Sequence, residues 1–544
     1  MAILVIAVAV FLRATQSSKP DANGYVGNEA CAKCHAAIYD SYSKTAMAHA
    51  SGPAAETPMT GDFFHKKSGM QYRIYSDNGK LRLSFERPGD PAVRGKRELL
   101  YYIGQGRRGR TYLYSVDGFL FESPVNWYTD KHMWDMAPAY QDAREAPMNL
   151  PTLTSCLDCH VSSIQPPIQG TENRYAMSVF SYPGVTCERC HGPGAAHVKG
   201  GAIVNPAKLS PERRDAVCMQ CHLEGNAAIE RAGKRLYQYR PGDDLSDYIR
   251  YYVHADVQPG GLRAASQFEA FAQSACKKKS GAAMSCTSCH DPHHPPSPAE
   301  RVSFYREKCL VCHAPLASKH HANQPDCTSC HMPANLSADV AHTQVTDHRI
   351  PRRPNSGPAL ENAAGQSNSS LPRLVPFPDS PAAEGDVRDL ALAWASMADT
   401  GDAAVLKHAE QLLRQSLAQS PDDAAVLSSL AYLLQKRGAV NDAREFYRRA
   451  LAQDPSLLDA ATNLGVIEAN SGHLREAVTL WEGAFERAPG RSSIGMNLAH
   501  AFCAAGQFDH ARDFTLRVLQ FNPDLDAAKR MLRGLNAAPS ACEP

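Results

Sequence analysis

The sequence predicts a mainly α fold in two parts. The first is an N-terminal unit of short helices and loops with a β-hairpin insert, and the second is a C-terminal α-solenoid. Three observations carry this. The tripartite string Cys-x-x-Cys-His occurs seven times before residue 340, Leu, Gly, Ala and Pro recur with a 34-residue period after residue 386, and two turn dipeptides between residues 65 and 130 are each flanked by alternating apolar residues.

A chain of 544 residues has room for two or three domains. The formal net charge is +1, which excludes bulk electrostatic binding of nucleic acid. Cysteine is the unusual residue: of 17, all but Cys503 and Cys542 precede residue 340. The chemistry is therefore expected in the N-terminal half.

Residues 1–23 read as a signal peptide or N-terminal anchor. Ala2 to Leu12 is an unbroken apolar run, too short to span a bilayer comfortably and apt for the apolar stretch of a secretory signal, although its one nearby basic residue, Arg13, follows it instead of preceding it. Residues 24–350 hold nearly all the cysteine and most of the histidine. Within them, about 65–130 form the β-rich insert: QYRIYS and KLRLSFE flank Asp77-Asn78-Gly79, and RTYLYS and FLFES flank Asp117-Gly118. Gly104 to Arg110, GQGRRGR, lacks a following helix and is expected to be a basic turn between strands. Residues 351–385, with seven prolines, read as a linker.

From 386 to 537 the text repeats. Pro421, Pro455, Pro489 and Pro523 are 34 apart, as are Gly438, Gly472 and Gly506, Ala443, Ala477 and Ala511, and Leu430, Leu464 and Leu498. This resembles the tetratricopeptide repeat, two helices per unit, with Ala443 and its equivalents allowing close helix packing and proline in the turn between units. A degenerate unit precedes, with Ala409 and Leu417 in phase but Ser396 where leucine belongs. Such stacks expose a concave face for a protein partner, or pack against their own N-terminal domain.

The seven motifs are Cys31-Cys34-His35, Cys156-Cys159-His160, Cys187-Cys190-His191, Cys218-Cys221-His222, Cys286-Cys289-His290, Cys309-Cys312-His313 and Cys327-Cys330-His331. This is the spacing of c-type haem attachment. Two residues between the cysteines let both sulfurs reach the vinyl groups of one porphyrin, and the next histidine falls to the iron. Each haem is served by only about 45 residues, too few for a private hydrophobic pocket, so covalent attachment is needed. Zinc ribbons use CxxC units in pairs, and seven is odd. A disulfide framework gives no reason for a fixed two-residue gap or for the histidine. Cys276 is expected as a free thiol near a haem, and Cys503 as a packing residue on a repeat helix.

Seven irons with one histidine each need seven further ligands to become bis-histidine, low-spin and closed to substrate, as suits electron transfer. Seven of the 22 histidines are in motifs and four in the repeats, leaving eleven. His49, His197, His254, His293, His321, His342 and His348 are the candidates. His294 and His320 are the doublet neighbours, and His65 and His132 rank lower.

The stretches NGYVGNEACAKCHAAIYDSYSKTAMAHA, GVTCERCHGPGAAH, CTSCHDPHH and CTSCHMP resemble multihaem cytochromes of the cytochrome c-552/c-554 kind, over roughly residues 24–350. The resemblance implies seven covalently attached haem c groups, closely stacked, in a heptahaem cytochrome c domain. It does not fix one reaction, since relatives include electron carriers, pentahaem nitrite reductases and octahaem enzymes acting on hydroxylamine or tetrathionate. Seven haems matches none of those counts, and there is no CxxCK.

The expected function is an exported, periplasmic electron carrier, with the repeats docking a protein partner and a possible inner-membrane anchor at the N-terminus. The alternative is an oxidoreductase acting on a small nitrogen or sulfur compound at one five-coordinate haem, where His132, Arg107 or Arg110 would handle protons.

Overall fold

The computed structural model describes residues 20–544 apart from 139, 177, 256–260, 319–323, 353–370, 372, 379–384, 399–401, 538–541 and 543–544. The leader, His320, His321 and most of the expected linker lie outside the described residues.

The N-terminal unit is not mainly helical, which corrects the expectation. Nine strands form one antiparallel sheet: β1 Ser51–Pro53, β2 Gly61–His65, β3 Met70–Asp77, β4 Lys80–Arg87, β5 Asp90–Ile103, β6 Gly109–Val116, β7 Phe119–Glu122, β8 Val125–Tyr128 and β9 Met133–Met136. The main path runs β2-β3-β4-β5-β6-β8-β9, with β1 on β5 and β7 on β6. Three small sheets follow: β10 Val161–Ile164 with β11 Phe180–Pro183; β12 Ala227–Glu230, β13 Ile249–His254 and β16 Leu374–Phe377; and β14 Ala334–Leu336 with β15 Gln344–Thr346. The strands thus run well beyond residues 65–130, and part of the expected linker pairs as β16.

Both turn dipeptides sit where strands reverse. Asn78 and Gly79 have φ of 49° and 75°, and Asp117 and Gly118 have 52° and 85°, as a two-residue hairpin turn with the strands' own twist requires. Side chains then alternate. Met70, Tyr72 and Ile74 of β3 and Leu81, Leu83 and Phe85 of β4 enter one core, while their neighbours face out. Five of the nine strands escape the hairpin reading; among them β5 and β8–β9 are broken up by Arg, Lys, Asn and Asp, so their apolar alternation is local.

The helices of the motif-bearing region are short: α1 Asn28–Ala32, α2 Ala36–Tyr42, α3 Thr154–Leu157, α4 Cys187–His191, α5 Pro211–His222, α6 Gln267–Gln273, α7 Ala275–Ser280, α8 Arg301–His313 and α9 Cys327–His331.

Nine helices make the C-terminal stack: α10 Asp386–Ser396, α11 Ala403–Gln419, α12 Ala424–Lys436, α13 Val440–Gln453, α14 Leu458–Asn470, α15 Leu474–Arg487, α16 Ser492–Ala504, α17 Phe508–Phe521 and α18 Asp526–Ala537. Ala443, Ala477 and Ala511 are fully buried, and Gly438, Gly472 and Gly506 end the first helix of each unit at φ 80°, 87° and 71°. Cys503 is not merely a packing residue: it forms a disulfide with Cys542 that ties the tail to α16.

The stack is docked on the N-terminal unit at both ends. At one end Arg231 reaches Asp386 and Asp389 (3.3 and 2.6 Å) and Arg250 reaches Asp386 (3.0 Å). At the other, fully buried Asp524 accepts from Arg87 (2.6 Å) and from the Ala146 amide (2.7 Å), and Phe521 packs on Phe119 and Phe121. Gly490 also lies on Phe121, so closely that a Cβ would come within 2.4 Å of the ring.

Candidate haem centre

Each motif is one helical turn, which is why its spacing works. His35 N–H donates to Cys31 O (2.9 Å) and His290 N–H to Cys286 O (3.0 Å), so positions i, i+3 and i+4 share a face. Motif three is the whole of α4, motif seven the whole of α9, and motifs four and six are the last turns of α5 and α8. Local caps hold these turns. Asp326 accepts from Thr328 N and Ser329 N (2.9 and 3.2 Å) at the start of α9, and Ser210 caps α5. Buried Glu188, inside motif three, accepts from the Val26, Gly27 and Gly194 amides, binding the first motif's segment to the third.

All seven motifs open on one continuous cavity. Every motif cysteine and histidine lines it, and its volume is about 4060 Å³. Divided among seven motifs, that is about 580 Å³ each, inside the roughly 300–1,000 Å³ of a single small-molecule pocket.

Histidine rings face one another across this space in three places. His35 and His197 have centroids 6.4 Å apart with planes 15° apart, His191 and His293 are at 5.8 Å and 10°, and His290 and His348 at 6.2 Å and 35°. A metal–imidazole bond is about 2 Å, so each separation accommodates one ion between two rings. The donors are oriented for this. The Nδ1–H of His191 donates to Val204 O (2.9 Å), of His197 to Gly201 O (3.0 Å), of His348 to Thr346 O (3.0 Å) and of His331 to Pro351 O (2.9 Å), and His222 Nδ1 donates to Gln267 Oε1 (3.0 Å). In His191, His197, His222 and His348 this leaves Nε2 for a ligand, the usual arrangement of a metal-bound imidazole. Burial lowers His160, His222, His293 and His348, and with His348 and His222 nearby it pushes His290 down to about 4.

The cysteines do not form a zinc site. Among the described residues, the one group of three His, Cys, Asp or Glu close enough to share an ion is Glu468, His473 and Glu476, in the repeats. Burial pushes Cys156, Cys190 and Cys309 up to about 11. Cavity size, facing imidazoles and the orphaned, buried Nδ1 of His160 all fit porphyrin iron.

The other candidate histidines lie elsewhere. His49 is exposed and its Nε2 donates to Ser43 O (2.6 Å), His342 Nε2 is paired with Asp135 (2.7 Å), and His254 is half-buried on β13; none of the three lines the cavity. His65 is buried, bonded to Ser68 and Gln141. His132 is exposed, at φ 49°. Arg107 lines the cavity. Arg110 does too, but its guanidinium is used by the Thr57 and Gln105 carbonyls and the Tyr102 ring. Cys276 lines the cavity as a free, half-buried thiol. The carbonyls of Val204, Gly201, Thr346 and Pro351, which orient the imidazoles, carry no sequence signal, because every residue has a carbonyl.

Comparisons with known proteins agree with this geometry. Residues 124–192, which contain the second and third motifs, match the model for cytochrome c554 and c-prime, and residues 406–464 match that for the tetratricopeptide repeat. The multiheme cytochrome MtrA of Shewanella baltica (strain OS185) is 27% identical over 179 residues, 29% of this chain and 52% of that protein. The chain thus spans about half the length of that curated relative. Among solved structures, MamA 41-end from Desulfovibrio magneticus RS-1 is 16% identical over 29% of this chain and 88% of that one, with a TM-score of 0.26. MamA MSR-1 is 24% identical over 28% and 86%, with a TM-score of 0.25. Motifs, cavity and both family matches together resemble those of a multihaem cytochrome of the cytochrome c-554 kind, a class that binds haem c covalently, joined to C-terminal tetratricopeptide repeats.

Proposed function

We propose that the chain is an exported electron carrier with seven haems c, one at each motif, and that its repeats dock a protein partner. The carrying observation is the single cavity lined by all seven motifs, which would keep every haem close to a neighbour. Bound haem iron supplies a reversible one-electron couple. The residues do the rest. Each cysteine pair anchors one porphyrin, and each motif histidine is the proximal ligand. His197, His293 and His348 are the second ligands for the first, third and fifth haems. Those rings close the iron to water and to substrate, which favours electron transfer over chemistry on a small molecule. His49, His254 and His342 are not carried into this assignment, and His321 lies outside the described residues.

Export is supported by the haem attachment itself and by the Cys503–Cys542 disulfide, which suits an oxidising compartment. Among the described residues, no helix is long and apolar enough to cross a membrane.

Intact mass of the purified holoprotein tests the count: seven haem additions are expected, and fewer would reduce the proposal to that number. Ferric EPR tests the mode. Low-spin signals alone are expected, and a high-spin centre that shifts on adding nitrite or hydroxylamine would move the reading to an oxidoreductase. Fusing residues 1–40 to a periplasm-dependent reporter tests export, and a silent reporter counts against it.

A further inference from the structure

Contacts between cysteines order the motifs in space. Cys31 lies beside Cys187, Cys159 beside Cys221, Cys218 beside Cys286 and Cys309 beside Cys327. Cys190 lies near Cys221, and Cys289 near Cys312. The resulting path is first, third, fourth, fifth, sixth, seventh, with the second beside the fourth. The facing histidines follow the same course, each supplied from two motifs further on: His197 to the first motif, His293 to the third and His348 to the fifth.

The first and sixth motifs of this path have different surfaces. Around the first motif, α1, α2 and the residues joining and following them carry Lys33 and Lys44 against Glu29 and Asp40, a balanced set. Around the sixth, α7, α8 and the residues joining them carry Lys277, Lys278, Lys279, Arg301, Arg306 and Lys308 against Asp291, Glu300 and Glu307, a surplus of three in a chain whose net charge is +1, with Lys279, Arg301, Arg306 and Lys308 at the rim of the cavity. Only Lys277 is spent on a buried carboxylate, Asp215 (3.2 Å). Cys276 of α7 lies near Cys289 and Cys309, which brings the two helices together. Amid these cations are apolar side chains that do not line the cavity: Val311, between the two cysteines of the motif, is 82% exposed, and Val302 of α8 is 37% exposed. Such a mixture, an apolar centre with a cationic rim, belongs to a transient interface steered by opposite charge.

We propose that the α7–α8 face over the sixth motif docks an acidic one-electron carrier protein, and that the sixth haem exchanges electrons with it. The inference rests on the seven-haem reading above. In each encounter one electron crosses: a reduced carrier loses it and a ferric haem becomes ferrous, or the reverse, with no bond made or broken.

The test is stopped-flow reduction of the ferric holoprotein by flavodoxin hydroquinone, used as an acidic one-electron probe that is left as the semiquinone. The variant Lys278→Glu/Lys279→Glu/Lys308→Glu is compared with a control of equal charge change on the sheet, Lys66→Glu/Lys67→Glu/Lys96→Glu. Intact mass first establishes that each retains its full haem complement. The face variant is expected to lose about tenfold or more in second-order rate at low ionic strength, and most of its salt dependence, while the control keeps the native rate. Reduction by dithionite, which needs no docked protein, is expected to be the same in both. Equal rates with flavodoxin for the face variant and the native protein, or an equal loss in the control, would overturn the docking site with the haem reading intact. A native protein without Soret absorbance would instead remove the reading beneath it.

Discussion

His191 illustrates how one side chain is committed from both ends. Its place as the last residue of α4 follows from the motif, its Nδ1–H is held by Val204 O, and His293 faces it at 5.8 Å. Replacing the facing ring isolates its role. In His293→Ala one haem is expected to turn high-spin in ferric EPR while the others stay low-spin, and added imidazole is expected to restore the low-spin signal. If the spectrum does not change, His293 is not a ligand. Gly490 is a residue of the opposite kind, needed for having no side chain. Gly490→Ala puts a Cβ 2.4 Å from Cε1 of Phe121 and is expected to cost about 1–3 kcal/mol, read from the denaturant midpoint. The motif residues were legible in the sequence because covalent attachment demands fixed spacing. His293 was legible as a candidate but its partner was not, since it faces a histidine 102 positions away and not that of its own motif. Nothing in the sequence marked the Gly490 contact, which exists only because the repeats return to the sheet.

At the scale of the element, the repeats were readable as helix pairs of a fixed period. Their period comes from one local unit stacked on itself, and every copy repeats the same burial. Within α14, buried Glu468 is held by His473 (2.7 Å), Arg444 (3.0 Å) and Arg448 (3.1 Å). Burial alone would raise its carboxyl, but these three partners outweigh it and hold it below the usual range. A depressed carboxyl contributes stability that is present above its unfolded value and is lost as pH falls through its folded one. The stack is therefore expected to weaken below about pH 4.3, and Glu468→Gln is expected to flatten that part of the profile. Helix melts by circular dichroism from pH 3 to 7 would check it, and an unchanged slope in the variant would refute it. Strands were harder to read. The two hairpins announced themselves through turn residues with φ > 0, but β5 pairs with β4, β6 and β1 in one sheet, and its polar positions are explained only by those neighbours.

Over the whole molecule, the repeats are held at two points by charges taken out of water. Asp524 is fully buried between Arg87, Lys529 and the Ala146 amide. Arg87→Ala is expected to destabilise the docked state by about 3 kcal/mol, the low end for a broken buried pair because Lys529 remains. Calorimetry is expected to show the repeats melting apart from the haem unit, whereas a single unchanged transition would mean that the contact does not couple them. The sequence by itself determined the covalent chemistry and the solenoid, because both are written in short-range spacing: two residues between thiols, and 34 between helix pairs. Only the tertiary structure decided the nine-stranded sheet, the order of the motifs around one cavity, the three facing histidine pairs and the clasp of the repeats on the sheet. Each of these depends on contacts between residues far apart in the chain, and long-range packing leaves no period in the sequence to read.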